Sequence, residues 1–244
     1  MKTLRNFSLE LGRLLQSRLT WLVLLLTVIS PVAGLTLYKP ATAETMLSMY
    51  LANPAIAGGV VSGILFGLLT VYELDRSGRS RVDILMNAIV SPMRSALIRM
   101  LALIVTSLLG LILTMLVWLP VSFTQAGSVL DMTNYCLAYL LFMGLALPCS
   151  ILAAAACYQF SQRADLSIVL FAAFAALSLT IWANNWQLCW LNPCVWALSD
   201  DFTNFRIFRS VLYMRLTWLA ALSGVWVLSW CCIRQHGKGI LGSL

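Results

Sequence analysis

The chain has 244 residues, of which 61% are hydrophobic and 10% charged, with a formal net charge of +7. That leaves too little polar surface for a water-soluble globule and places the protein in a membrane. Its apolar runs are continuous rather than alternating, which excludes a β-barrel. The basic residues sit at the ends of those runs and form no flat, aromatic-studded face, which argues against nucleic-acid binding.

Residues 1–18 are predicted to form an amphipathic helix lying in the inner membrane surface. Leu4, Phe7, Leu11, Leu14 and Leu15 share one side, with Lys2, Arg5, Glu10, Arg13 and Gln16 largely opposite. Six predicted spans follow, at about 19–37, 52–72, 96–118, 134–158, 166–184 and 211–233. Each has the roughly 20 apolar residues that a bilayer requires. The whole chain, 1–244, reads as a single all-α transmembrane domain. Ala41-Thr42-Ala43 resembles a signal-peptidase site. The apolar run before it is too long for a signal core and follows a charged amphipathic segment, so the first run is read as a retained span.

In the second span, Gly59, Gly63 and Gly67 form a stripe at i, i+4 and i+8 that permits close helix packing, within the chain or with a second copy. Pro31 and Pro148 are expected to kink the first and fourth spans, and the carbonyls they free need local partners. Between the second and third spans lies the densest charge cluster, with Glu73, Asp75, Arg76, Arg79, Arg81, Asp83, Arg94 and Arg99. Its arginine excess marks the cytoplasmic side, and an even number of spans then puts both termini there. Within this cytoplasmic loop, 73–95, Ser80 and Asp83 fit a capping box followed by Val82, Leu85, Met86 and Ile89 on one side. A short amphipathic helix is predicted there. Ser91-Pro92 supplies a second cap and starts the helix that becomes the third span.

The loop at 185–210 is rich in Trp and Phe and is read as extracytoplasmic, with helical pieces that fold back near the headgroups or an irregular aromatic belt. Cys189 and Cys194 lie in this loop, where oxidation is permitted, and geometry decides whether they bond. The remaining cysteines, in or at the ends of spans, read as small buried hydrophobes.

No carboxylate, lysine or histidine falls near the middle of a span, which argues against ion-coupled transport. Arg215, Arg99 and Asp165 are read near span ends, where they are solvated or snorkel. The one histidine, His236, is in the C-terminal tail, so no His-ligated metal or Ser-His dyad is available inside the membrane, and no catalytic motif or cofactor site is expected. Nor is there a Walker A pattern, so any work must draw on a partner's energy.

The run Tyr72-Glu73-Leu74-Asp75-Arg76-Ser77-Gly78, then Asp83-Ile84-Leu85, Ser91-Pro92-Met93-Arg94 and Arg99 resembles the segment after the second span in ABC-2 type permeases, the membrane subunits of type V ABC exporters. The resemblance implies an N-terminal connecting helix, six spans and re-entrant pieces before the last span. It also implies that 80–89 is the coupling helix docking on a separate ABC ATPase subunit, which would hold ATP and Mg. Leu85 and Met86 would give apolar contact there and Arg79, Arg81 and Asp83 polar pairing, with Ser80 and Ile89 also among the ATPase-coupling residues. A second permease copy or homologue is the other implied partner, in the cytoplasmic membrane. The expected cargo is hydrophobic or amphipathic: lipid-like, a drug or a peptide. The rival expectation is a non-transporting membrane scaffold or immunity protein, which needs no ATPase.

Overall fold

A computed structural model describes residues 2–41, 45–79, 92–185, 187–192 and 205–236, and among them only helices and turns are found. Helix α1, Lys2–Gln16, is separated by the extended Ser17 from α2, Arg18–Ile29. The Trp21 indole holds that junction by donating to the Leu15 carbonyl at 2.7 Å. A short α3, Val32–Thr36, follows; then a π-helical turn, Ser48–Ala52, opens into α4, Asn53–Arg79. Helix α5, Pro92–Ala126, leads through a 3-10 turn to α6, Met132–Ala138. A second π-helical turn, Tyr139–Gly144, joins α6 to α7, Ala146–Ser161, which is followed by α8, Ala164–Leu179, and α9, Phe205–His236.

Among the described residues, five helical segments are long and apolar enough to cross a membrane: Arg18–Thr36, Ser48–Arg76, Met93–Val129, Met132–Ser161 and Arg209–Trp230. Helix α8 is apolar but has 16 residues, about 24 Å at 1.5 Å per residue, against a hydrocarbon core of roughly 30 Å. It falls short because the chain turns at 180–185 where sequence reading continued the helix to 184.

Prolines set the breaks. Pro31 has no N–H for the Thr27 carbonyl, so α2 stops at Ile29. Ser30 Oγ donates to that carbonyl at 2.7 Å and Thr114 Oγ1 at 3.4 Å. At the same break the Trp118 indole donates to Val28 O at 2.8 Å. Pro54 likewise deprives the Tyr50 carbonyl, which takes Ser122 Oγ at 3.4 Å. Each π-helical turn thus lies just ahead of a proline, Pro54 or Pro148, where the regular ladder is already broken.

Helices α4 and α7 form the centre, with α2 and α8 against α4, α8 and α9 against α7, and α1 against α5. Small residues permit this. A Cβ on Gly59 would strike the Phe142 carbonyl, one on Gly63 would approach Ser150 Oγ at 2.6 Å and Leu191 Cδ1 at 3.0 Å, and one on Gly67 would enter the Phe171 ring. The glycine stripe is therefore used within the chain. On the partner helix, Ala153, Ala154 and Ala155 are almost fully buried.

Arg215 is fully buried, which corrects the expectation of a snorkelling side chain near the end of a span. Its guanidinium donates to the Trp190 carbonyl and, at 2.9 Å, to the Leu191 carbonyl, drawing the turn at 187–192 into the bundle. Trp190 is buried and stacks on Phe174 with ring centres 4.9 Å apart, while Leu191 N donates to Ser178 Oγ at 3.0 Å. The described part of this loop is turn rather than helix, and α9 begins at Phe205, earlier than expected.

Candidate functional site

A cluster of ion pairs lies where α1, α4 and α5 meet. Helix α4 continues beyond the apolar run to Arg79, and α5 starts at Pro92, the position its N1 proline predicts. The two helix ends therefore bracket the segment 80–91.

Glu73, on the last apolar turn of α4, is fully buried. Arg13 NH1 of α1 pairs with Glu73 Oε2 at 2.7 Å, and Arg76 NH1 lies 3.7 Å from Oε1. Arg13 also grips Glu10 with two hydrogen bonds, NH2 to Oε1 at 2.8 Å and Nε to Oε2 at 3.2 Å. Glu10 in turn stands 3.4 Å from Arg99 Nε on the second turn of α5. A continuous chain of opposite charges thus runs α4–α1–α5. Burial acts against the Arg13 cation, but Glu10 and Glu73 outweigh it, so its pKa is raised and it stays charged.

This geometry corrects the helical-wheel reading of α1. Glu10 and Arg13 turn inward to Arg99 and Glu73 alongside the buried Leu14, whereas Leu4 is 75% exposed. The signal that could have found this is the pairing of an acid at the very end of an apolar run with an arginine three residues beyond an acid in the preceding amphipathic helix. The wheel alone assigns both to water.

The proposed coupling residues Ser80, Arg81, Asp83, Leu85, Met86 and Ile89 lie outside the described residues, and of Arg79 only the helical backbone is described. The pairing of Cys189 with Cys194 also lies outside them, because Cys194 does. Gly59, Gly63 and Gly67 are brought against α7, the turn at 187–192 and α8. Among the described residues, no group of three or more His, Cys, Asp or Glu could hold a metal ion. An apolar cleft of about 290 Å3 opens between α2, α3 and α4, lined by Leu26, Ile29, Val32, Leu37, Val61 and Leu65 among others.

In comparisons with protein-family models, curated proteins and solved structures, nothing matched this chain.

Proposed function

We propose that this chain is the permease subunit of an ATP-driven exporter of the ABC-2 type, working with a separate ATPase subunit and a second permease copy or homologue in the cytoplasmic membrane. The observation that carries the reading is the ion-paired frame around 80–91. A segment bracketed by α4 and α5, with both helix ends tied to α1 through Glu73, Arg13, Glu10 and Arg99, can pass a push from a docked partner to three helices at once. The motif resemblance over 72–99 supplies the partner class, and the missing Walker A pattern supplies the need for one.

In this reading α8 is the sixth crossing, made short because the inserted turn at 187–192 fills the bundle beyond its end. Both termini are then cytoplasmic. Closure of the ATPase pair drives 80–91 as a lever and shifts α4 and α5 between two packings. The cargo is hydrophobic or amphipathic, in keeping with the apolar cleft beside α2 and α4.

The test is purification of the tagged chain from its native membrane, followed by an ATP hydrolysis assay. Replacing Leu85 and Met86 with Asp puts two carboxylates into an apolar contact, at several kcal/mol of desolvation, and is expected to lower ATPase co-purification more than about tenfold. If the unmodified chain brings down no ATPase, the scaffold reading replaces this one.

A further inference from the structure

Arg215 is placed where a cation needs a reason. From Glu73 at the end of the apolar run, α4 rises ten residues to Gly63, about 15 Å and half the hydrocarbon thickness. Gly63 faces Leu191, whose carbonyl accepts from Arg215 NH2. The guanidinium is therefore near mid-depth, fully buried.

No described carboxylate pairs with it, and the titratable groups beside it are the thiols of Cys149 and Cys189. Two carbonyl dipoles take one N–H each, and Nε is left without a partner among the described residues. Ser150 Oγ, facing Gly63 on the next helix, is likewise buried and unpartnered. A neutral amide could donate to these carbonyls as well, so holding the turn does not require a charge. Among the described residues this buried charge is met only by dipoles, a costly arrangement that within a membrane marks a functional site by default.

The chemistry of the missing partner follows from the fork. Guanidinium N–H pairs match the two oxygens of a carboxylate or phosphate, and such pairs are about twice as strong as bonds to neutral carbonyls. Helix α9 is the least covered of the long helices, with 28% of its span buried against 72% for the α4 span and 78% for the span containing α7, so its outer face is open to an amphiphile. A ligand arriving along that face carries an apolar tail.

We propose that Arg215 is the recognition site for the anionic head of an amphiphile, a carboxylate or phosphate on an apolar tail. The head takes the guanidinium from the Trp190 and Leu191 carbonyls and releases the turn at 187–192. The unpartnered Nε–H is the first donor an anion meets, and a two-pronged grip adds a hydrogen of NH1 or NH2, the groups now drawn to the Trp190 and Leu191 carbonyls, so a full grip pulls the fork off the turn. That the ligand is cargo rests on the exporter reading; that it binds does not.

The test uses the full chain in neutral detergent under mild reduction, with dodecyl phosphate as probe and dodecylphosphocholine and inorganic phosphate as controls. Labelling by maleimide is resolved residue by residue by mass spectrometry. Cys189 on the turn and Cys149 on α7 are both buried, so Cys189 reports release and Cys149 reports folding. Dodecyl phosphate is expected to raise Cys189 labelling about tenfold or more while Cys149 stays protected, with neither control acting. In Arg215→Gln the response disappears with Cys149 still protected. Should that variant expose Cys149, Arg215→Lys keeps the charge without the fork, and the probe concentration for half-response is expected to rise about tenfold. A wild-type Cys189 indifferent to dodecyl phosphate overturns the proposal. So does an unchanged response in a folded Arg215→Gln or Arg215→Lys, or an equal response to dodecylphosphocholine or to inorganic phosphate. No ATPase takes part, so this result stands apart from the co-purification test.

Discussion

Cutting the Arg13–Glu73 pair tests whether α1 is clamped to the bundle or merely rests on it. With N···O at 2.7 Å the charge centres are about 4 Å apart, worth roughly 4 kcal/mol at an effective dielectric constant of 20. Arg13 keeps 35% of its side-chain surface in solvent, so about half of that survives, a coupling near 2 kcal/mol. The single changes should be unequal. Glu73→Gln removes the buried charge and leaves Arg13 on Glu10 at 2.8 Å, costing about 1–2 kcal/mol. Arg13→Gln strands a fully buried carboxylate with only Arg76 at 3.7 Å, costing about 3 kcal/mol. Reversible unfolding in mixed micelles, run on both singles and the double variant, gives the coupling directly. If the two losses add to within about 0.5 kcal/mol, the clamp is energetically idle and the transmission argument falls with it.

The glycine stripe predicts a contrast within one substitution type. Gly67→Ala drives a methyl into the Phe171 ring and should cost about 1–3 kcal/mol, whereas Gly224→Ala, with nothing within 4 Å of its Cβ, should be neutral or gain up to about 1 kcal/mol. Thermal unfolding that ranks the two equally would remove the packing role of the stripe. Tyr38, beyond the first span, has its hydroxyl pushed up to about 12 by burial, with contact to the Asn192 side chain acting the other way. Because its folded pKa lies above the unfolded value of about 10, its contribution to stability is complete below pH 10 and declines as pH rises from 10 to about 12. Tyrosinate absorbance, taken as wild type minus Tyr38→Phe, should show no ionisation near pH 10 in the folded protein.

The break at Pro31 and the start of α5 at Pro92 were legible because proline acts locally, through one missing N–H and a fixed φ. Pro54 carries the same signal, yet its π-helical turn went unread, since the surrounding apolar run is continuous. Within the candidate site, the arginine-rich loop was visible as a charge anomaly. Its clamp was not, because Glu10, Arg13, Glu73 and Arg99 come from three segments, and a helical wheel assigns each charge to water. Arg215 was expected to snorkel for a related reason. Its place near the start of an apolar run suggested contact with water, and nothing local showed that a distant turn would come in to meet it.

By itself the sequence determined membrane residence, the number of long apolar helices to within one, and the places where proline and charge interrupt them. These follow from hydropathy, helix length and backbone chemistry, all properties of neighbours in the chain. Tertiary structure alone decided that the glycines close on α7 and α8, that Glu73 is sealed under Arg13, and that Arg215 is buried on two carbonyls. Those outcomes depend on which groups from distant segments share a space from which water is excluded, where an unpaired charge costs several kcal/mol and proximity fixes its partner.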